Sequence, residues 1–266
     1  MFEHYQLIDF GQGRKWERFG DYVVERLSPQ AGISPTRGRT QVDVSWDGAQ
    51  WRGEVDATWR MATPWFTLGL RLASGGQVGV FPEQFQNWHY IFERAIQADR
   101  PLKVLNCFAY TGASSLAAAA VGSHVQVTHL DGAKPNVNWA RQNAALNGFE
   151  HIRWMVDDVM TFLQREAKRG NQYDMVIADP PAFGRGPKGR WQLHRDFDGL
   201  LDAIGRVLSD NPVAVILSGH DQKLPRAEMR RRAIACLAPL KIESAPLDLV
   251  AEDRKLYASD CVRLTW

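Results

Sequence analysis

An α/β fold, a mostly parallel sheet with helices on both faces behind a small β-rich region, is predicted from three observations. After Phe81, short apolar runs alternate with segments of helical periodicity, the pattern of strand–helix–strand units. Before Phe81, runs that alternate apolar and polar residues are broken by Asp47-Gly48 and Gly75-Gly76, as in antiparallel hairpins. The 266 residues, 45% hydrophobic and 23% charged, are enough for a real core and far from the compositions of disordered or fibrous chains.

In chain order, the first region has extended runs at 22–24, 41–46, 51–56 and 66–72, with the Pro-, Gly- and Ser-rich segment 28–40 as a loop. Six of the ten tryptophans, Trp16, Trp46, Trp51, Trp59, Trp65 and Trp88, fall in the first third of the chain, where a small β layer has few other large residues to bury. A helix is expected at 84–98, where Phe85, Trp88, Ile91, Phe92 and Ala95 recur at helical spacing. Strands are expected at 103–106, 125–130, 152–156, 175–178, 213–218, 242–249 and 261–266. Helices at 114–121, 134–147, 159–168, 197–208 and 226–237 fill most of the gaps. The expected division is a β-rich region over 1–82 and a cofactor domain over 83–266.

Thirty-two Lys and Arg against 30 Asp and Glu leave a net charge of +2, so any nucleic-acid contact must come from a local patch. Cys107, Cys236 and Cys261 fit neither a disulfide framework nor a metal site, and point to a reducing cytoplasm. The N-terminus has no basic and apolar leader, and no uninterrupted apolar run is long enough to span a membrane, so a cytoplasmic protein without a membrane partner is expected.

The run Val104-Leu-Asn-Cys-Phe-Ala-Tyr-Thr-Gly112 reads as strand, turn and helix start, with glycine where a ligand must approach the backbone closely. This turn has a single glycine and not the G-x-G-x-x-G of a pyrophosphate loop, and G-x-x-x-x-G-K-[ST] is absent too, which argues against a pyrophosphate or triphosphate ligand. Asp131 ends the second strand, where a carboxylate can accept the hydroxyls of a cofactor ribose. Asp157-Asp158 ends the third, where Asp158, or Asp157 in its place, can accept from an adenine amino group. Asp179-Pro180-Pro181-Ala182-Phe183 follows the fourth. Carboxylates at successive strand ends, with Phe108 and Tyr110 beside the first, suit an adenosyl ligand that carries a cation, and S-adenosylmethionine has that form.

Together, the pieces Asn106-Cys-Phe-Ala-Tyr-Thr-Gly112, Asp131, Trp139-Ala-Arg-Gln-Asn143, Leu146-Asn-Gly148, Asp158 and Asp179-Pro-Pro-Ala-Phe183 resemble class I S-adenosylmethionine-dependent methyltransferases. Within that class they resemble the bacterial group that contains the 23S rRNA cytosine-C5 and guanine-N7 methyltransferases. The stretches 9–20 and Gly79-Val-Phe-Pro-Glu-Gln84 resemble the short β region that precedes the methyltransferase domain there. The resemblance implies a Rossmann-like seven-strand sheet whose last strand is antiparallel. It also implies cofactor contacts from Phe108, Tyr110, Thr111, Gly112, Asp131, Asp158 and Gln84. The additional N-terminal RNA-binding domain usual in that group is expected to be absent.

Methylation of a pyrimidine C5 needs a thiolate to activate the ring. In the cytosine-C5 relatives that cysteine follows the fifth strand, where this sequence reads Val215-Ile-Leu-Ser-Gly-His220. The Asp-Pro-Pro-aromatic loop instead resembles loops that act on base nitrogens. It implies Asp179 and the Pro180 carbonyl as the orienting groups and Phe183 as a stacking ring. The following segment, with Lys188, Arg190 and Trp191, reads as a flexible basic lid continued by His194-Arg195-Asp196. His220 is a further candidate on the substrate side, and Arg230-Arg231-Arg232 would add phosphate contacts. The expected function is therefore methylation of a nucleobase nitrogen in RNA, with rRNA the natural partner. The alternatives are a methyltransferase of a protein or small molecule, and a cofactor-binding RNA chaperone or scaffold that no longer catalyses.

Overall fold

The computed structural model describes residues 4–32, 36, 41–186 and 189–266, and of Arg185 only the backbone. Two compact units are present, one of residues 1–85 with 247–258, the other of 86–246 with 259–266. Residues 247–258, which the sequence pattern groups with the cofactor domain, thus belong to the first unit. Among the described residues no helix is long and apolar enough to cross a membrane.

The first unit carries a five-stranded sheet in the order β1 (Tyr5–Gly11), β2 (Arg14–Phe19), β3 (Tyr22–Leu27), β4 (Val44–Trp46), β5 (Trp51–Gly53). All neighbours are antiparallel except β3 and β4. The β4–β5 hairpin turns at Asp47-Gly48, where Asp47 Oδ1 accepts from the Ala49 and Gln50 N–H groups at 2.9 Å each, an Asx turn. A separate hairpin pairs β6 (Trp59–Ala62) with β7 (Thr67–Leu70). Strands β1, β2 and β6 have no counterpart in the sequence-based expectation. In β2 the inward-facing Glu17 is charged and fully buried, so the apolar alternation that betrays a strand is missing.

The larger sheet has seven strands, all in the second unit except for residues 247–258 of the last two. Its strands are β8 (Leu102–Cys107), β9 (Val125–Asp131), β10 (Ile152–Val156), β11 (Met175–Ala178), β14 (Ala214–Gly219), β15 (Lys241–Ala251) and β16 (Arg254–Thr265), in the order β10-β9-β8-β11-β14-β16-β15. The first five are parallel, and β16 runs antiparallel to β14. Strand β16 begins at Arg254 rather than near Cys261, and β15 rather than β16 occupies the edge. The helices are α1 (Phe85–Gln97), α2 (Ala113–Ala119), α3 (Lys134–Leu146), α4 (Val159–Lys168), α5 (Leu193–Gly205) and α6 (Arg226–Leu237).

Strand alternation explains why both faces are covered. Leu105 and Cys107 of β8 join one apolar cluster with Phe162 of α4, Phe197 of α5 and Met229 of α6. Asn106, between them, points the other way and donates to Ser115 Oγ of α2 at 2.9 Å. In the segment expected as a lid, β12 (Phe183–Gly186) pairs antiparallel with β13 (Gly189–Gln192) as a hairpin. His194, Arg195 and Asp196 do not continue it: they form the first turn of α5, where Asp196 Oδ2 accepts from the Gln192 N–H at 2.9 Å.

Candidate active site

Parallel register places the ends of five strands in one row. Cys107 is paired with Leu130 on one side and Ala178 on the other, Leu130 with Met155, and Ala178 with Leu217. The residues one step beyond therefore stand side by side across the sheet as Val156, Asp131, Phe108, Asp179 and Ser218. Chain order runs outward from β8 to β10 and then resumes at β11 on the opposite side, so the row crosses the reversal point at which open α/β sheets bind ligands.

Beside that reversal the loop after β8 is held in an unusual conformation. Phe108, Tyr110 and Gly112 have φ of 56°, 51° and 97°, left-handed values that cost energy for the two aromatic residues and tend to mark functional turns. Glycine is required at 112, because a Cβ there would lie 3.0 Å from Ala140 Cβ in addition to the backbone strain. The loop is braced from several sides. Tyr110 N–H donates to Asp131 Oδ2 at 2.9 Å, Ala109 N–H to Leu130 O at 3.1 Å, and Asn143 of α3 to Thr111 O at 2.9 Å. Beneath it Ser115 Oγ lies 3.0 Å from His129 Nδ1. Burial pushes the His129 imidazole down to about 3, so the ring is neutral at physiological pH.

Asp131 is nearly buried, with Oδ1 accepting from Ala133 N–H at 2.8 Å and Asn136 Nδ2 at 3.2 Å, while Oδ2 accepts from Tyr110. A carboxylate has about four lone-pair sites, so one remains, on Oδ2. Asp158 is the N-cap of α4, its Oδ1 accepting from Thr161 N–H at 2.8 Å. Asp157 accepts from the Asp158 N–H at 2.9 Å and is ion-paired with Arg165 at 2.6 Å. Of the two, Asp158 keeps an oxygen with no internal partner.

On the other side of the reversal point, Ser218 Oγ donates to Asp179 Oδ1 at 2.7 Å and fixes the carboxylate's orientation. Pro180 is buried, whereas Phe183 is 64% exposed at the start of β12. Trp191 Nε1 donates to Pro181 O at 2.8 Å, and its ring lies 5.8 Å from that of Phe108, tying the hairpin to both loops. Arg190 is exposed, and its carbonyl accepts from Arg195; Lys188 lies outside the described residues. His220 follows β14, next to Asp221, whose carboxylate meets His194 Nδ1 at 3.0 Å. Gln84 is buried in the short 3₁₀ turn Pro82–Gln84 of the first unit.

Sequence reasoning missed Ser218, Asn136 and the buried Asn106–Ser115–His129 chain, since single polar residues in strands (Asn106, His129, Ser218) or helices (Ser115, Asn136) give no local sign of the partner that folding brings to them. The expected Arg230–Arg232 phosphate patch is reduced, because Arg231 and Arg232 are both ion-paired with Glu228 at 2.7 Å. No thiol is activated: burial pushes Cys107 far above the ordinary range and Cys261 to about 11, and partial desolvation with the adjoining Asp202 carboxylate raises the exposed Cys236 to about 12.

A sheet with this strand order, a glycine-closed loop after its first strand and carboxylates at the next strand ends defines an adenosyl-cofactor transferase. The profile of the S-adenosylmethionine-dependent methyltransferase family matches residues 36–221, and the chain belongs to that family. A crystallographically solved SAM-dependent methyltransferase from Agrobacterium tumefaciens is 34% identical, with a TM-score of 0.92 over 100% of this chain and 91% of that one. Ribosomal RNA large subunit methyltransferase I of Klebsiella pneumoniae strain 342 is 37% identical over 170 residues, 63% of this chain and 41% of its own length. Ribosomal RNA large subunit methyltransferase K/L of Shewanella frigidimarina is 32% identical over 124 residues, 45% of this chain and 17% of its own. The chain spans under half the length of these curated relatives.

The residues of the site fit the cofactor of that family: position 112 of the loop after β8 admits only a glycine, and Asp131 keeps a lone pair for a hydroxyl. When bound, the cofactor supplies an electrophilic methyl group.

Proposed function

We propose that this chain methylates a nitrogen of a nucleobase in RNA, ribosomal RNA being named as the substrate of the curated relatives. The observation that carries the reading is Asp179, turned by Ser218 at 2.7 Å, followed by the rigid Pro180-Pro181 pair and an exposed Phe183. Asp179 and the Pro180 carbonyl accept hydrogen bonds from the acceptor nitrogen, which directs its lone pair along the transfer axis. The carboxylate also offsets the positive charge that develops on nitrogen. Phe183 stacks on the base, which has to leave its helical stack to enter. The lack of an activated thiol favours nitrogen over a pyrimidine C5.

On the cofactor side, Asp131 Oδ2 accepts from the ribose and Asp158, through its second oxygen, from adenine, with Phe108, Tyr110, Thr111 and Gly112 forming the turn around the cofactor. Arg190, Trp191 and His220 border the substrate. An RNA substrate implies work in the cytoplasm.

Comparing modified nucleosides in total RNA from parent and deletion strains tests the reading. Loss of one N-methylated nucleoside, restored by the wild-type gene but not by Asp179→Ala, is expected. An unchanged nucleoside profile would sink it.

A further inference from the structure

The first unit holds a cavity of about 320 Å³ that no part of the methyl-transfer chemistry uses. Its polar wall starts from Glu17, whose fully buried carboxylate accepts from Tyr5 Oη at 2.9 Å and from Arg26 Nε and Nη2 at 2.9 and 2.6 Å, and pairs with Lys15 Nζ at 3.1 Å. Glu17 thereby pins both cations at the cavity. Arg26 spends its remaining nitrogen on Gly76 O and Gln77 Oε1, at 3.3 Å each. Lys15 has three N–H donors and uses one on Glu17, so it can donate into the cavity. Glu83 also lines the cavity and feels the charges of Lys15, Glu17 and Arg26. Burial lowers the Lys15 pKa and raises that of Glu83, as expected where water is largely excluded.

The remaining wall sets the rings of Trp46, Phe81 and Tyr257 beside the aliphatic Leu27, Leu249 and Leu256. The Trp46 indole is wedged against Gly76, where a Cβ would fall 2.6 Å from the ring, and against Trp51 at 5.2 Å between centroids. Tyr257 lines the same cavity and is 38% exposed.

This combination selects a ligand class. Two cations face two carboxylates, so no net positive field attracts a phosphate, and a carboxylate ligand would meet Glu83. An apolar occupant would leave the two further donors of Lys15 and the remaining acceptor capacity of Glu83 unanswered. A flat, neutral heteroaromatic ring that presents an acceptor to Lys15 and a donor to Glu83 satisfies both, and it can stack on the aromatic side chains. We propose that this pocket binds a nucleobase, so that the first unit reads an unpaired base of the substrate RNA. The assignment to RNA rests on the function proposed above, whereas the base pocket itself is tested without methyl transfer.

The test is calorimetric titration of the full chain with adenosine, guanosine, cytidine and uridine. Saturating S-adenosylhomocysteine keeps the cofactor site filled, and ribose 5-phosphate serves as the anionic control. At least one nucleoside should bind, and Lys15→Met and Tyr257→Ala should each weaken it about tenfold or more. Thermal unfolding checks that the variants fold; if Lys15→Met does not, the half-exposed Tyr257 position carries the test. No nucleoside binding at millimolar concentration, binding indifferent to both substitutions, or ribose 5-phosphate binding as well as any nucleoside would overturn the proposal. RNA methylation by a chain that binds no nucleoside overturns the pocket alone. Nucleoside binding by a chain that methylates no RNA overturns the RNA reading instead.

Discussion

In the first unit the carboxylate of Glu17 lies at the centre of its charges, answered by Arg26, Lys15 and Tyr5. In the second, Asp131, Asp158 and Asp179 stand at strand ends, where Tyr110 N–H, Thr161 N–H and Ser218 Oγ donate to them. A buried carboxylate closed off by its own cations holds a structure together, and its loss exposes the cost of burying the partners. A carboxylate beside the cofactor turn that is met by uncharged donors and keeps a lone pair, as Asp131 does on Oδ2, is prepared for a ligand. The contrast teaches that the kind of partner, buried cations around Glu17 against uncharged donors around Asp131, rather than burial, separates a structural acid from a functional one in this molecule.

That contrast can be broken most sharply at Asp179. Asp179→Ala is expected to slow methyl transfer about 10³-fold while leaving S-adenosylmethionine affinity unchanged, read by single-turnover transfer and calorimetry. Loss of cofactor affinity in step with rate would make Asp179 a structural acid like Glu17. Glu17→Ala should cost about 3–5 kcal/mol of stability in denaturant unfolding, because Arg26 and Lys15 stay buried without their partner. A cost below about 1 kcal/mol would mean that water reaches the cluster.

Acid should weaken the second unit through His129. Its folded pKa, about 3, lies below the ordinary 6.5, so between these values the unfolded chain binds the extra proton and stability falls as pH falls. The loss should be at most about 1.4 kcal/mol per pH unit and should level off below the folded pKa. His129→Gln should flatten that part of the profile; an equally steep profile in the variant would remove His129 as its cause.

Ser218→Ala should lower kcat about tenfold with little change in KM, since it removes a hydrogen bond that orients Asp179 without removing a ligand contact. The smallest effect separates two roles of one residue. Asp158→Ala should cost about 1 kcal/mol through loss of the helix cap. Asp158→Asn retains the cap and should raise the KM for S-adenosylmethionine alone. Unchanged KM in both variants would leave Asp158 with the cap as its sole role.

The second unit was largely legible because its signals are local. Periodicity locates α4 at Val159–Lys168, α6 at Arg226–Leu237 and β10 at Ile152–Val156 to the residue, since each has an apolar face or run bounded by turn residues. The first unit was less so. Its second strand is Arg-Lys-Trp-Glu-Arg-Phe, which reads as a polar surface segment until Arg26, nine residues after Glu17, is brought against it. The β12–β13 hairpin was hidden for a similar reason: a glycine-rich basic run looks flexible, and the hydrogen bond from Trp191 to Pro181 is visible only once the chain has folded back.

Sequence alone determined the α/β class, the glycine-closed turn and the strand-end positions of Asp131, Asp158 and Asp179, because backbone preference and side-chain period act over a few residues. Tertiary structure alone decided that Ser218 orients Asp179, that Arg165 engages Asp157 while Asp158 keeps an oxygen free, and that Glu17 is enclosed by cations. Those outcomes depend on parallel register and on charges distant in the chain, and a carboxylate's chemistry is set by the donors that folding places around it.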